Sequence, residues 1–206
     1  MKVLGLTGSI GMGKTTAALL LRRLGVPVHD ADAAVHRLLG KGGAAVPAVA
    51  ADFPGVVRDG AVDRKALGAR VFGDREAMRR LERILHPLVR QDSARFLQRA
   101  RRGGARVAVL DIPLLFEVGR DRDCDATLVV SAPPFIQRAR VLARPGMTER
   151  RFGEVLARQM PDLQKRRRAD FVVPTGLGRR LTLRRLRCVL KDVRRSGSKG
   201  RRRALR

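Results

Sequence analysis

Three glycines within six positions, then a lysine and two hydroxyls, make residues 8–16, GSIGMGKTT, the stretch best equipped for chemistry. Gly8-x-x-x-x-Gly13-Lys14-Thr15 has the spacing of a phosphate-binding loop. Glycines such as Gly8, Gly11 and Gly13 let backbone N–H groups approach phosphate oxygens with no Cβ in the way. A helix starting near Lys14 aims its unsatisfied N–H groups, from Met12 to Thr16, and its positive dipole end at the same anion. Lys14 can reach the β- and γ-phosphates, and the Thr15 hydroxyl can ligate Mg²⁺. The loop implies a nucleoside triphosphate, with ATP and Mg²⁺ as the expected pair.

A phosphate loop does not name the acceptor. In VHDADAAVHR, residues 28–37, Asp30 and Asp32 follow a short second strand, at the edge where open α/β sheets bind ligands. A carboxylate there can orient an attacking hydroxyl or accept its proton, but Asp is also a favoured helix cap. Asp111, ending RVAVLD, suits either a water-mediated hold on Mg²⁺ or a turn. Arg138, Arg140 and Arg144 share one polar helix face between proline and glycine punctuation. Such a hairpin suits a closing lid, whose arginines neutralise charge on a transferring phosphoryl group. His29, His36 and His86 lack metal-ligand spacing and read as structural, with His86-Pro87 marking a helix start.

The elements that must carry these residues alternate between strand and helix, the pattern of an α/β fold with a parallel sheet. Strands are expected at 3–7, 26–29, 106–111, 126–131 and 170–173. Helices are expected at 14–24, after Asp32, across 63–102, from Pro134 to about Arg144, around 152–159, and from about 183 to 193. Within 63–102 the stripe Met78, Leu81, Leu85 and Leu88 is interrupted at Pro87, where a kink or fresh helix start is expected.

At 206 residues the chain reads as one domain over 1–193, with a lid at about 134–165 and a basic, disordered tail over 194–206. The 45 basic against 19 acidic residues give a net charge of +26, which attracts phosphate backbones nonspecifically. With no Trp or Tyr and only seven Phe, a stacking platform for bases is scarce, so specific nucleic-acid recognition is not expected. No apolar run has membrane-spanning length, so no membrane partner is expected. The two cysteines read as reduced thiols, and a cytoplasmic protein is the default.

Taken together, GLTGSIGMGKTT, DADAAVHR, DRKALGARVF, LERILHPLV, DIPLLFE and QRARVLAR…RQM…KRRRADFVV resemble the dephospho-coenzyme A kinase family over residues 1–175. The resemblance implies a P-loop NTPase-like three-layer fold with a central parallel sheet, a helical acceptor-binding region and a lid. It implies transfer of the ATP γ-phosphoryl to the ribose 3′-hydroxyl of dephospho-coenzyme A. It also implies Asp32 as the catalytic aspartate, Gly11 to Thr16 as the ATP loop, and Arg140 and Arg144 as lid arginines. Arg64, His86, Leu88, Leu114 and Leu115 fall where the family holds its acceptor. The chain departs from the family at Ser9 and Met12, usually Gly and Ser, and at Pro174-Thr175-Gly176, where Asp-Asn is common. Two rivals share parts of the pattern: a shikimate-kinase-like enzyme, and a basic nucleic-acid-binding NTPase. The first carries a triple-glycine stretch where this chain has VLDIPLLFE.

Overall fold

The chain's most continuous apolar runs become the strands of one sheet. The structure, a computed structural model, describes residues 1–195. Strands β1 (Lys2–Thr7), β2 (Val28–Asp30), β5 (Val107–Asp111), β6 (Ala126–Ser131) and β7 (Phe171–Pro174) lie in the order β2-β5-β1-β6-β7. The pairings β1–β5, β1–β6 and β6–β7 are parallel, with Leu6 opposite both Asp111 and Leu128. A parallel sheet is covered on both faces, which is why β5 is buried throughout and β6 nearly so.

Helices α1 (Lys14–Arg23) and α9 (Arg179–Arg195) supply one cover. Leu21 of α1 and Leu186, Val189, Leu190 and Val193 of α9 join Leu4, Leu6, Val109, Leu128 and Val173 in one cluster. Each such side chain contributes about 1.5–3 kcal/mol through burial. The helix α6 (Pro134–Leu142), α7 (Glu149–Ala157) and α8 (Asp162–Arg168) occupy the stretch read as the lid. The last helix continues to Arg195, two residues into the expected tail; 196–206 lie outside the described residues.

The described chain gathers into two compact units: Met1–His29 with the chain from Ala100 onward, and Asp30–Arg99. The second unit holds α2 (Ala31–Leu39), α3 (Val46–Asp52), a hairpin of β3 (Val57–Arg58) and β4 (Ala61–Val62), α4 (Arg64–Val71) and most of α5 (Arg75–Arg102). Its separate core includes Val49, Phe53, Val56, Leu67 and Leu81. Met78, Leu85 and Leu88 pack against that core as the stripe requires. The expected restart at Pro87 does not occur, because α5 runs unbroken from Arg75 to Arg102. His86 and Pro87 are exposed, so the carbonyl that Pro87 cannot bond is left on the side where water can serve it.

Candidate active site

Strand β1 ends beside β6, and the loop that follows is shaped by contacts as close as its glycines permit. A Cβ on Gly8 would lie 2.8 Å from the Val130 carbonyl oxygen. Gly11 and Gly13 have φ of 76° and 85°, the left-handed region that glycine enters without steric cost. A Cβ at Gly11 would also strike Val141 of α6 at 2.6 Å. Gly13 is the N-cap of α1 and no side chain caps that end, which leaves first-turn N–H groups for an anion.

Lys14 and Asp111 meet at this point. Nζ of Lys14 lies 2.7 Å from Oδ1 of Asp111, and the aspartate is buried at the end of β5. The pair unites the two sequence candidates expected to manage phosphate charge and Mg²⁺. Thr15 is exposed on the first turn of α1, and Thr16 half-buried beside it. Met12, by contrast, turns inward: it is 2% exposed and its sulfur accepts the Ala132 N–H. Its thioether therefore fills the core, leaving only its backbone to the loop.

Arg140 of α6 donates to the carbonyl oxygens of Thr175 at 2.8 Å and Gly11 at 3.5 Å. Arg144 is exposed two residues past α6, while Arg138 pairs with Glu149 of α7. Thr175, in the segment where the chain departs from the family it resembles, is buried and donates its hydroxyl to the Met12 carbonyl at 2.7 Å. Gln137 and Gln159 also reach the loop, at Ile10. Gln137 and Gln159 stand in the stretches QRARVLAR and RQM that carry the resemblance, but no local pattern tells what they hold, since each of the three acts across more than a hundred residues of chain.

Beside the loop, Lys165 of α8 is wholly buried, 2.9 Å from Glu117 Oε1 and 3.3 Å from the Pro113 carbonyl. Glu117, last residue of the quoted DIPLLFE, also accepts the Met160 N–H. Leu115 of the same motif is fully buried, and a Cβ on Gly5 of β1 would meet it at 2.9 Å; Leu114 is exposed. Of that leucine pair, only Leu114 presents a surface.

In the helical unit, geometry assigns the cap between Asp30 and Asp32. Asp30 is the N-cap of α2, its carboxylate accepting the Ala33 N–H at 3.0 Å, whereas Asp32 is exposed and outside the capping bond. Arg64, first residue of α4, donates to the His36 ring at 2.7 Å. Leu88 packs on the unit's core while His86 points to the solvent face of α5, so these two do not share a surface. His29 is buried in the sheet unit and His36 is Arg64's partner, as structural roles require.

The hard oxygen donors Thr15 and Asp111 fit Mg²⁺, which takes few protein ligands and keeps water and phosphate oxygens around it. No cluster of three His, Cys, Asp or Glu suited to a metal occurs among the described residues. The dephospho-CoA kinase family model matches residues 2–176. The chain belongs to the dephospho-CoA kinase family. The dephospho-CoA kinase of Paramagnetospirillum magneticum is 69% identical over 166 residues, spanning 81% of this chain and 78% of that protein. That of Rhodospirillum rubrum is 58% identical over 93% of this chain and 92% of its own length. A crystal structure of a Thermus thermophilus protein superposes with a TM-score of 0.82 at 37% identity, covering 95% of this chain and 98% of the other. The chain is thus a P-loop kinase of this family, and the shikimate-kinase and nucleic-acid NTPase readings give way to it.

Proposed function

We propose that the protein transfers the γ-phosphoryl group of ATP to the ribose 3′-hydroxyl of dephospho-coenzyme A, giving coenzyme A and ADP in the last step of coenzyme A synthesis. The observation that carries this reading is the pairing of Lys14 with Asp111 beneath an uncapped helix end, in a chain of this family. Within the Gly11 to Thr16 loop, the backbone N–H groups other than that of Met12, which is given to the Ser9 carbonyl, hold the phosphates together with the Lys14 ammonium. Thr15 and Asp111 hold Mg²⁺, which when bound neutralises charge on the β- and γ-phosphates. With the ion bound, Asp111 would serve it as well as Lys14, leaving the lysine ammonium for phosphate.

Asp32 orients the 3′-hydroxyl. The O3′–P bond forms as the bond from Pγ to the β,γ-bridging oxygen breaks, and ADP leaves. Because the transition state is loose, Asp32 acts chiefly by position and takes the hydroxyl proton late. Arg140 and Arg144, in a lid over about 134–165, meet the transferring group on closure. Arg64, His86, Leu88, Leu114 and Leu115 serve the acceptor region that the family resemblance implies, with Leu88 and Leu115 acting as support from the cores of their units. The protein works in the cytoplasm on a small molecule, with no membrane or specific nucleic-acid partner. The test is an acceptor screen with Mg²⁺ and ATP, read by mass spectrometry: dephospho-coenzyme A gains one phosphoryl group and shikimate none. Phosphorylation of shikimate, or ADP release with no phosphorylated acceptor, overturns the reading.

A further inference from the structure

Ile10 lies at the turn of the phosphate loop, and both hydrogen-bonding groups of its backbone are taken by side chains from distant segments. Its N–H donates to Oε1 of Gln159 at 3.0 Å, just past α7. Its carbonyl accepts from Nε2 of Gln137 at 2.8 Å, on α6. Gln137 is 7% exposed, and one helical turn further on Arg140 of the same helix reaches the carbonyl of Gly11. The approach is close: a Cβ on Gly11 would lie 2.9 Å from the Gln137 carbonyl oxygen.

We propose that Gln137 and Gln159 are positioning residues for the nucleotide, gripping the Ile10 backbone from both sides and holding the phosphate loop open. The Ile10 N–H is spent on Gln159, so the phosphate-facing amides begin at Gly11. A loop rich in glycine has many alternative conformations, and ordering it is an entropic cost that a preformed shape removes from nucleotide binding. The two glutamines hold opposite polarities: Gln137 must donate, Gln159 must accept. Both stand in the stretch proposed as the lid, so a displacement of α6 or α7 reaches the phosphate site through Ile10. This inference rests on the nucleotide half of the proposed function and not on the identity of the acceptor.

The experiment is titration of the full chain with Mg·ADP, without acceptor, alongside steady-state kinetics and thermal melting. Gln137→Met and Gln159→Met each raise the ADP dissociation constant about tenfold, the scale of a buried amide left without its partner. The KM for ATP rises with it, while the KM for dephospho-coenzyme A stays within about twofold. Because both side chains hold the backbone of one residue, through its two adjoining peptides, the double variant loses less than the product of the singles. Polarity gives the sharper discrimination. Gln137→Glu and Gln159→Glu bring the same charge to the backbone of the same residue, but only the first destroys a donor. Gln159→Glu therefore stays within about threefold of wild type and Gln137→Glu is the weakest binder. Should Gln137→Met fail to fold, Gln159→Met, at a half-buried position, carries the same prediction. Unchanged ADP affinity in the folded Met variants, or equal losses in the two Glu variants, overturns the proposal. Failure of the wild type to phosphorylate dephospho-coenzyme A while these ADP results hold would overturn the acceptor reading alone.

Discussion

The ion-paired phosphate candidates of the sheet unit and the catalytic carboxylate candidate of the helical unit are presented in opposite ways. In the sheet unit, Lys14 and Asp111 form an ion pair, and Arg140 holds the loop backbone through carbonyl contacts. In the helical unit, Asp32 and His86 stand exposed. The difference follows from what each would bind. Triphosphate is a fixed, highly charged shape, so donors arranged in advance avoid reorganisation when it arrives. An acceptor hydroxyl must be admitted, aligned and released, and a side chain kept in solvent until then does not block it.

The largest expected effect tests the fixed network. Lys14→Ala should lower turnover by about two to three orders of magnitude, the scale of removing a donor aimed at transition-state charge. The network adds a second consequence: the substitution takes from buried Asp111 its ion-pair partner, so the melting temperature should fall too. Lys14→Ala with Asp111→Asn should recover the melting temperature and not the turnover. Recovery of neither would show that Asp111 is not strained by losing the lysine.

Lys165→Met should cost stability more than chemistry. It leaves Glu117 as a carboxylate mostly out of water, and such a loss costs about 3–5 kcal/mol, measurable by urea unfolding. A change below about 0.5 kcal/mol would mean that the pair is no better than a surface one. Arg140→Ala should come next, with turnover falling about tenfold or more and the melting temperature nearly unchanged, because its present bonds are to carbonyls at an exposed position. An unfolded variant would make Arg140 a structural clasp instead.

The smallest effect belongs to the helical unit. Asp63 caps α4 and Asp74 the start of α5, and the backbone N–H groups of Ala66 and Ala77 hold their carboxyls below the ordinary 3.8. A lowered pKa in the folded state gives stability that is present above the unfolded value and lost as pH falls through the folded one. Asp63→Asn and Asp74→Asn should therefore differ from wild type in thermal stability near pH 6 and converge with it in strong acid. A difference that persists at the lowest pH would point to lost packing rather than lost charge.

The sheet was legible because apolar runs such as VAVLD and ATLVVS lie between unambiguous turn signals. The long helix was legible in its stripe but not in its continuity, since Pro87 is a breaker only where its orphan carbonyl cannot reach water. The hairpin at Asp59-Gly60 and α3 leave no periodic pattern, because segments of two to seven residues have too few positions for one. At the site, Lys14 and Asp111 were readable from motif position, whereas Gln137, Gln159 and Thr175 stood within quoted stretches with no role to read from them. Their roles come from contacts across the fold, which no local pattern encodes. The pair Asp30 and Asp32 lies between these cases: the sequence narrowed it to two, and the Ala33 bond assigns the cap to Asp30.

That assignment makes the most direct test of the division between the units a comparison of Asp32→Asn with Asp30→Asn. Turnover with dephospho-coenzyme A, the ADP dissociation constant and the melting temperature are measured for both. The account predicts that Asp32→Asn loses about two or more orders of magnitude in turnover while ADP affinity and melting temperature hold. Asp30→Asn, which keeps a good capping side chain, should be mild in all three. Equal turnover losses at the two positions, a loss at Asp30 alone, or a collapse of ADP affinity in Asp32→Asn would contradict it.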